Sequence, residues 1–168
     1  MKIEAATRLK ASQVFYRGLN ETWKEDHARN QHLIFVTSDH NYALEYAKDA
    51  DHVYAFHVNV VHPFEFGFRT LTTQVKLNEV CSRIRDGVLG QFKQHHISDV
   101  LGRKLVEELR RLSAAYSGHK EVWEWYMELP QLIQVLKAAG FDAIKAYEGQ
   151  NNNIETYGLF SSNQLTKV

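Results

Sequence analysis

The spacing of apolar residues changes period twice along this chain, and that change constrains its fold more than any single motif. Before about residue 72 and after Gly140, apolar residues come in short runs or alternate, as in Val14-Phe15-Tyr16-Arg17-Gly18, Leu33-Ile34-Phe35-Val36-Thr37 and the stretch His52 to Val60. Strict alternation, with Tyr54, Phe56, Val58 and Val60 on one side and Ala55, His57 and Asn59 on the other, is the mark of a half-buried strand. From about Thr72 to Ala139 the spacing becomes three and four, through Val80, Ile84 and Val88, then Leu101, Leu105, Leu109 and Leu112, then Leu132, Ile133, Val135 and Leu136. That is the period of packed helices, and it predicts three or four of them, with Val75 opening the first pattern. Strands at both ends with helices gathered between them predict an α+β fold and argue against a doubly wound sheet.

Local signals place the boundaries. Ser38 or Asp39 can cap a short helix that carries Ala43, Tyr46 and Ala47 on one face. Pro63 ends the third strand, Ser98 precedes one helix and Pro130 opens the last. Gly140 stops that helix where the backbone turns left-handed. Two strands follow, Ala143 to Tyr147 and Thr156 to Phe160, separated by the polar loop Glu148 to Asn153.

With 168 residues and a 44% hydrophobic content, the chain suits one compact domain over 1–168, with a helical insertion over about 72–139. Twenty Lys and Arg balance twenty Asp and Glu, so no net field holds it on a polyanion or an anionic membrane. The lone Cys81 excludes an internal disulfide and, within an amphipathic helix, reads as a buried structural thiol. Met1-Lys2-Ile3-Glu4 lacks the apolar stretch of a signal peptide and no run is long enough to span a bilayer, so the expected location is cytoplasmic, in the producing cell or in a target cell.

Nine histidines suggest a metal, but His27, His32, His40, His95 and His96 have no ligand spacing, and adjacent His95 and His96 diverge by about 100° on a helix. No metal is expected. Arg17 closes a strand beside Gly18, where a guanidinium can fork onto a phosphate and a glycine lets a ligand approach the backbone. Thr37 and Ser38 could hold a ligand hydroxyl or merely cap the next helix. Tyr46 could stack on an aromatic ligand, though core packing is the commoner fate of a tyrosine at helical spacing. Glu155 stands where the asparagine-rich loop enters the last strand, and a carboxylate there can hold a hydroxyl and stabilise positive charge. Arg103, Lys104, Arg110 and Arg111 read as the solvated face of a helix, or as a docking surface.

Taken in order, Tyr16-Arg17-Gly18, then Ile34-Phe35-Val36-Thr37-Ser38-Asp39 with Ala43 and Tyr46-Ala47, then Val53-Tyr54, Gly140-Phe141-Asp142-Ala143-Ile144 and Glu155-Thr156-Tyr157-Gly158-Leu159-Phe160 with Gln164-Leu165, resemble the ADP-ribosyltransferase superfamily. The likeness covers both ends of the chain and not its helical middle. It is most similar to compact phage and bacterial transferases, rifamycin-modifying enzymes and poly-ADP-ribose polymerases. Leu19 and Phe35 replace residues of the polymerase branch, which moves the likeness toward the arginine-serine-glutamate toxin branch. Of that branch's Ser-Thr-Ser only Thr37-Ser38 remains, and Asn153 stands where a second acid is usual. Aligning on Tyr157 instead would put Thr156 at the glutamate position, and Glu148 is the fallback acid.

The resemblance implies a split β-sheet core and NAD as a consumed substrate. It implies an NAD site of Tyr16, Arg17, Gly18, Phe35, Thr37, Ser38 and Tyr46, with Arg17, Ser38 and Glu155 as catalytic residues. The implied reaction is mono-ADP-ribosyl transfer, with nicotinamide release, to a protein, nucleic-acid or small-molecule acceptor. NAD hydrolysis, or a fold that has lost its chemistry and serves as a binding module, are the alternatives.

Overall fold

A computed structural model of the chain describes residues 13–24 and 32–168. The readings made on Met1 to Glu4 and on His27 lie outside the described residues. The chain is α+β, as its change of period predicts. The strands are β1 (Val14–Gly18), β2 (Ile34–Thr37), β3 (Val53–Val58), β4 (Pro63–Glu65), β5 (Gln74–Lys76), β6 (His119–Glu121), β7 (Ala143–Glu148), β8 (Ile154–Leu159) and β9 (Leu165–Lys167). The helices are α1 (His40–Leu44), α2 (Leu77–Lys93), α3 (Asp99–Ala115), α4 (Val122–Glu128) and α5 (Pro130–Ala138). Among the described residues no helix is long and apolar enough to cross a membrane.

The chain forms two compact units, one of residues 1–63 with 142–168 and the other of residues 64–141. The segment read as an insertion, about 72–139, falls within the second unit.

In the first unit the strands run in the order β7-β8-β2-β1-β3-β9, every neighbour antiparallel. The first strand of the sequence lies near the middle of the sheet, and the late strand β8 reaches it across β2. One sheet face carries the core: Phe15, Ile34, Val36, Val60, Ala143, Tyr157 and Leu159 are buried, with Trp23, Val58 and Leu165 packed against them. Phe15 meets Tyr157 edge to face at 5.4 Å.

The second unit holds α2 to α5. Ser98 caps α3 by accepting from the Leu101 N–H at 3.3 Å, and Pro130 begins α5. Gly140 follows α5 at φ +93°, a conformation costly for any residue with a Cβ. Val75 departs from the expected helical pattern, because it lies in β5, paired with Lys120 of β6. That two-stranded sheet is anchored by the buried Trp125, whose indole N–H donates to the Val75 carbonyl at 3.0 Å. Cys81 is buried in α2, and burial pushes its thiol up to about 11, so it is a structural thiol rather than a nucleophile. Arg103, Lys104, Arg110 and Arg111 form an exposed face of α3, where Arg110 and Arg111 pair with Glu107 and Glu108. His95 and His96 fall beyond α2, with His95 at φ +60°.

Candidate functional site: a strand junction at Arg17, Ser38 and Glu155

Three strands meet where the sequence reading put its candidates. Tyr16 pairs with Thr37 across β1 and β2, and Thr37 pairs with Thr156 across β2 and β8. Successive side chains of a strand point to opposite faces. Tyr16, Thr37 and Thr156 therefore share one face of the sheet, and Arg17 and Glu155 share the other.

Ser38 lies one residue past β2 and extends its ladder onto β8. Its N–H donates to the Glu155 carbonyl at 2.8 Å, and its Oγ accepts from the Glu155 N–H at 3.1 Å. The Ser38 hydroxyl is thus committed to Glu155. The cap of α1 is instead Asp39, which accepts from the Tyr42 N–H at 2.8 Å. Glu155 itself lies inside β8, as its second residue, because the pairing of Glu148 with Ile154 extends the hairpin past the expected strand start at Thr156.

Arg17 sits at the polar margin of the core, on the face of Phe15 and Val36. Its Nη1 donates to the Phe35 carbonyl at 2.9 Å, and burial pulls its pKa down to about 10. Beside Glu155 stands Lys145, with its Nζ 3.2 Å from Oε1 and over the rings of Tyr147 and Tyr157 at 5.2 and 5.9 Å. Burial works against the Lys145 ammonium, but the Tyr147 hydroxyl, Tyr157 and the Glu155 carboxylate outweigh it and raise its pKa. Burial, and then the Glu155 charge, push the Tyr157 phenol up to about 12.

The other predicted residues belong to the opposite face or to α1. The Tyr16 ring stands edge to face with His40 at 5.2 Å. A Cβ on Gly18 would lie 1.9 Å from the Ala43 carbonyl oxygen, so the missing side chain there makes room for α1. Phe35 is half-buried, and Thr37 is buried with Oγ1 3.5 Å from the Asp39 N–H. Tyr46 lies beyond the end of α1 and is 56% exposed, which overturns its reading as a core tyrosine.

Glu148, the fallback acid, ends β7 on the face away from Glu155 and is 4% exposed. The Tyr42 O–H donates to its Oε2 at 3.0 Å, and the Tyr46 O–H donates to Tyr42 at 3.1 Å. Burial, the bond with Tyr46 and the Glu148 charge raise the Tyr42 pKa above the ordinary phenol range.

The sequence reading missed Lys145 and Tyr42, and named Thr156 only as the alternative register for the acid. Lys145 could have been found by alternation, since it shares a face with Tyr147 in a strand that pairs with the Glu155 strand. Thr156 Oγ1 is buried with no hydrogen-bond partner among the described residues, a property of the packing with no sequence signal. Comparison of the chain with known protein families, with curated proteins and with solved structures returns no match.

Proposed function

We propose that the protein is an NAD-dependent mono-ADP-ribosyltransferase. One observation carries the reading: Arg17, Ser38 and Glu155 come from three separated segments, yet Arg17 and Glu155 share one sheet face, and Ser38 is bonded through both backbone and side chain to Glu155. A glutamate fixed at its backbone presents its carboxylate with little loss of entropy on binding.

The roles follow from charge. The Arg17 guanidinium meets a phosphate of NAD or its adenine ribose, and partial burial strengthens that contact. Ser38 braces Glu155 through its hydroxyl. The glycosidic bond breaks with its electron pair going to the pyridinium nitrogen, so nicotinamide leaves neutral and positive charge develops on the ribose. Glu155 accepts from the ribose 2′-hydroxyl and stabilises that charge, a contribution on the order of a few kcal/mol. The acceptor nucleophile bonds to the anomeric carbon and loses its proton to solvent. Lys145, with its ammonium 3.2 Å from the Glu155 carboxylate, helps to hold that side chain in place. The common face of Arg17 and Glu155, and the bonds from Ser38 to Glu155, also favour Glu155 over Thr156 and Glu148 as the acid.

A second reading, a binding module without chemistry, draws support from the ion pair that already engages Glu155 and from the helix that covers Gly18. Incubation with labelled NAD and cell lysate, with protease and nuclease controls, distinguishes the readings. Labelled macromolecule supports transfer, free ADP-ribose alone indicates hydrolysis, and no binding of NAD by calorimetry indicates the module. Under the transferase reading, Glu155→Ala abolishes nicotinamide release while the protein still unfolds cooperatively; normal turnover in that variant would sink the assignment.

A further inference from the structure

Lys145, Tyr147, Glu155 and Tyr157 form a block of four on one face of the sheet. Across β7 and β8, Lys145 pairs with Tyr157 and Tyr147 with Glu155, so the two charged residues stand on one diagonal and the two tyrosines on the other. Diagonal neighbours of an antiparallel pair are about 7–8 Å apart, a gap that only long side chains close. The Lys145 ammonium closes it, reaching Glu155 Oε1 at 3.2 Å with the Tyr147 and Tyr157 ring centroids 5.2 and 5.9 Å away. Tyr157 is buried and Tyr147 is 41% exposed, so one ring backs the ammonium from the core and the other stands on its solvent side.

Fixing a lysine in one rotamer costs entropy that a part-exposed ion pair does not offset by itself. Two aromatic rings add an attraction that depends on where the ammonium lies, and so select one place for it. We infer that Tyr147 and Tyr157 are positioning residues: they hold Lys145 against Glu155 Oε1, so that Glu155 presents Oε2 to a ligand hydroxyl. Among the described residues none bonds Oε2, and the Glu155 side chain is 26% exposed, so a ligand can reach that oxygen. The tyrosines act only through Lys145 and take no part in the chemistry. Only the identity of the ligand, the ribose of NAD, rests on the transferase reading.

The test follows the Lys145 ammonium of the full chain by heteronuclear NMR, with its signal assigned from Lys145→Met, and nicotinamide release by the same variants. In the wild type the ammonium gives a resolved signal of restricted motion. Tyr147→Leu, at an exposed position, keeps the fold, frees the ammonium and lowers kcat by about two- to fivefold. KM changes little, because Glu155 acts on charge that develops during the reaction. Tyr147→Phe keeps the ring and recovers most of both losses, and Lys145→Met lowers kcat at least as far as Tyr147→Leu. Tyr157→Leu repeats the effect of Tyr147→Leu, which carries the test should the buried variant fail to fold. A mobile ammonium in the wild type, one equally restricted in Tyr147→Leu, or a Tyr147→Phe as impaired as Tyr147→Leu overturns the assignment. A restricted ammonium that Tyr147→Leu frees, without nicotinamide release by the wild type, removes the transferase reading and leaves the positioning standing. Release that is unchanged in Tyr147→Leu and Lys145→Met does the reverse.

Discussion

At the scale of single residues, the pair formed by Lys145 and Glu155 is the contact most open to experiment. Their side chains are 17% and 26% exposed, so water still screens the 3.2 Å approach, and the pair contributes on the order of 1 kcal/mol or less. Lys145→Met is therefore expected to lower stability by no more than about 1 kcal/mol, with the difference shrinking in about 1 M salt. Lys145→Glu would place like charges side by side and cost more at low salt. Urea unfolding of both variants at low and high salt measures this; equal losses at both salt levels would mean that packing of the lysine stem, not charge, is what matters. Residue identity was legible where a side chain does what its chemistry commonly does, as with Asp39 capping α1 or Cys81 filling a helix core. Ser38 was ambiguous because capping and bracing β8 use the same oxygen, and only the partner strand decides between them.

Among the elements, α1 is the one most tightly bound to a single position of the sheet. It packs on the bare backbone of Gly18, and an added methyl would meet the Ala43 carbonyl at 1.9 Å and the Ala47 nitrogen at 2.8 Å. Both are backbone atoms, so the strain cannot be relieved by turning a side chain. Gly18→Ala is expected to destabilise by about 2–3 kcal/mol and to displace α1. Gly158→Ala, which meets only side-chain atoms of Ile144 and Leu33 under 3.4 Å, is expected to cost less. Thermal unfolding of the two variants compares them directly, and a mild Gly18→Ala would show that α1 shifts freely. The long helices were legible because their apolar period repeats for several turns and their ends carry Ser98, Pro130 and Gly140. The strands β4, β5, β6 and β9 are three residues each, too short to show a period, and they exist because a neighbour supplies hydrogen bonds.

For the whole molecule, pH is the global probe. Burial raises the phenols of Tyr42, Tyr126 and Tyr157, the last to about 12. An unfolded tyrosine loses its proton near about pH 10, so above that value the folded chain holds more protons than the unfolded one. Stability from these groups is complete below about pH 10 and falls as the pH rises toward the folded values, and the raised Lys145 acts in the same direction. Arg17, pulled down to about 10, acts in the opposite sense. Urea midpoints are expected to fall between about pH 9 and about pH 11.5, with the absorbance of these three tyrosines changing only as the chain unfolds. Ionisation of all eight tyrosines near about pH 10 without loss of structure would contradict it.

The sequence by itself determined what is local: the α+β class, the helices of residues 64–141, the strands that carry Arg17 and Thr37, and the strand that begins beside Glu155. These follow from apolar period and capping chemistry, which act over a few residues. Tertiary structure decided which strands are neighbours, and so that Arg17 and Glu155 share a face and Ser38 bonds to Glu155, while Glu148 and Tyr46 lie elsewhere. Strand order depends on contacts between segments more than a hundred residues apart, such as Ser38 with Glu155, and no local signal encodes them.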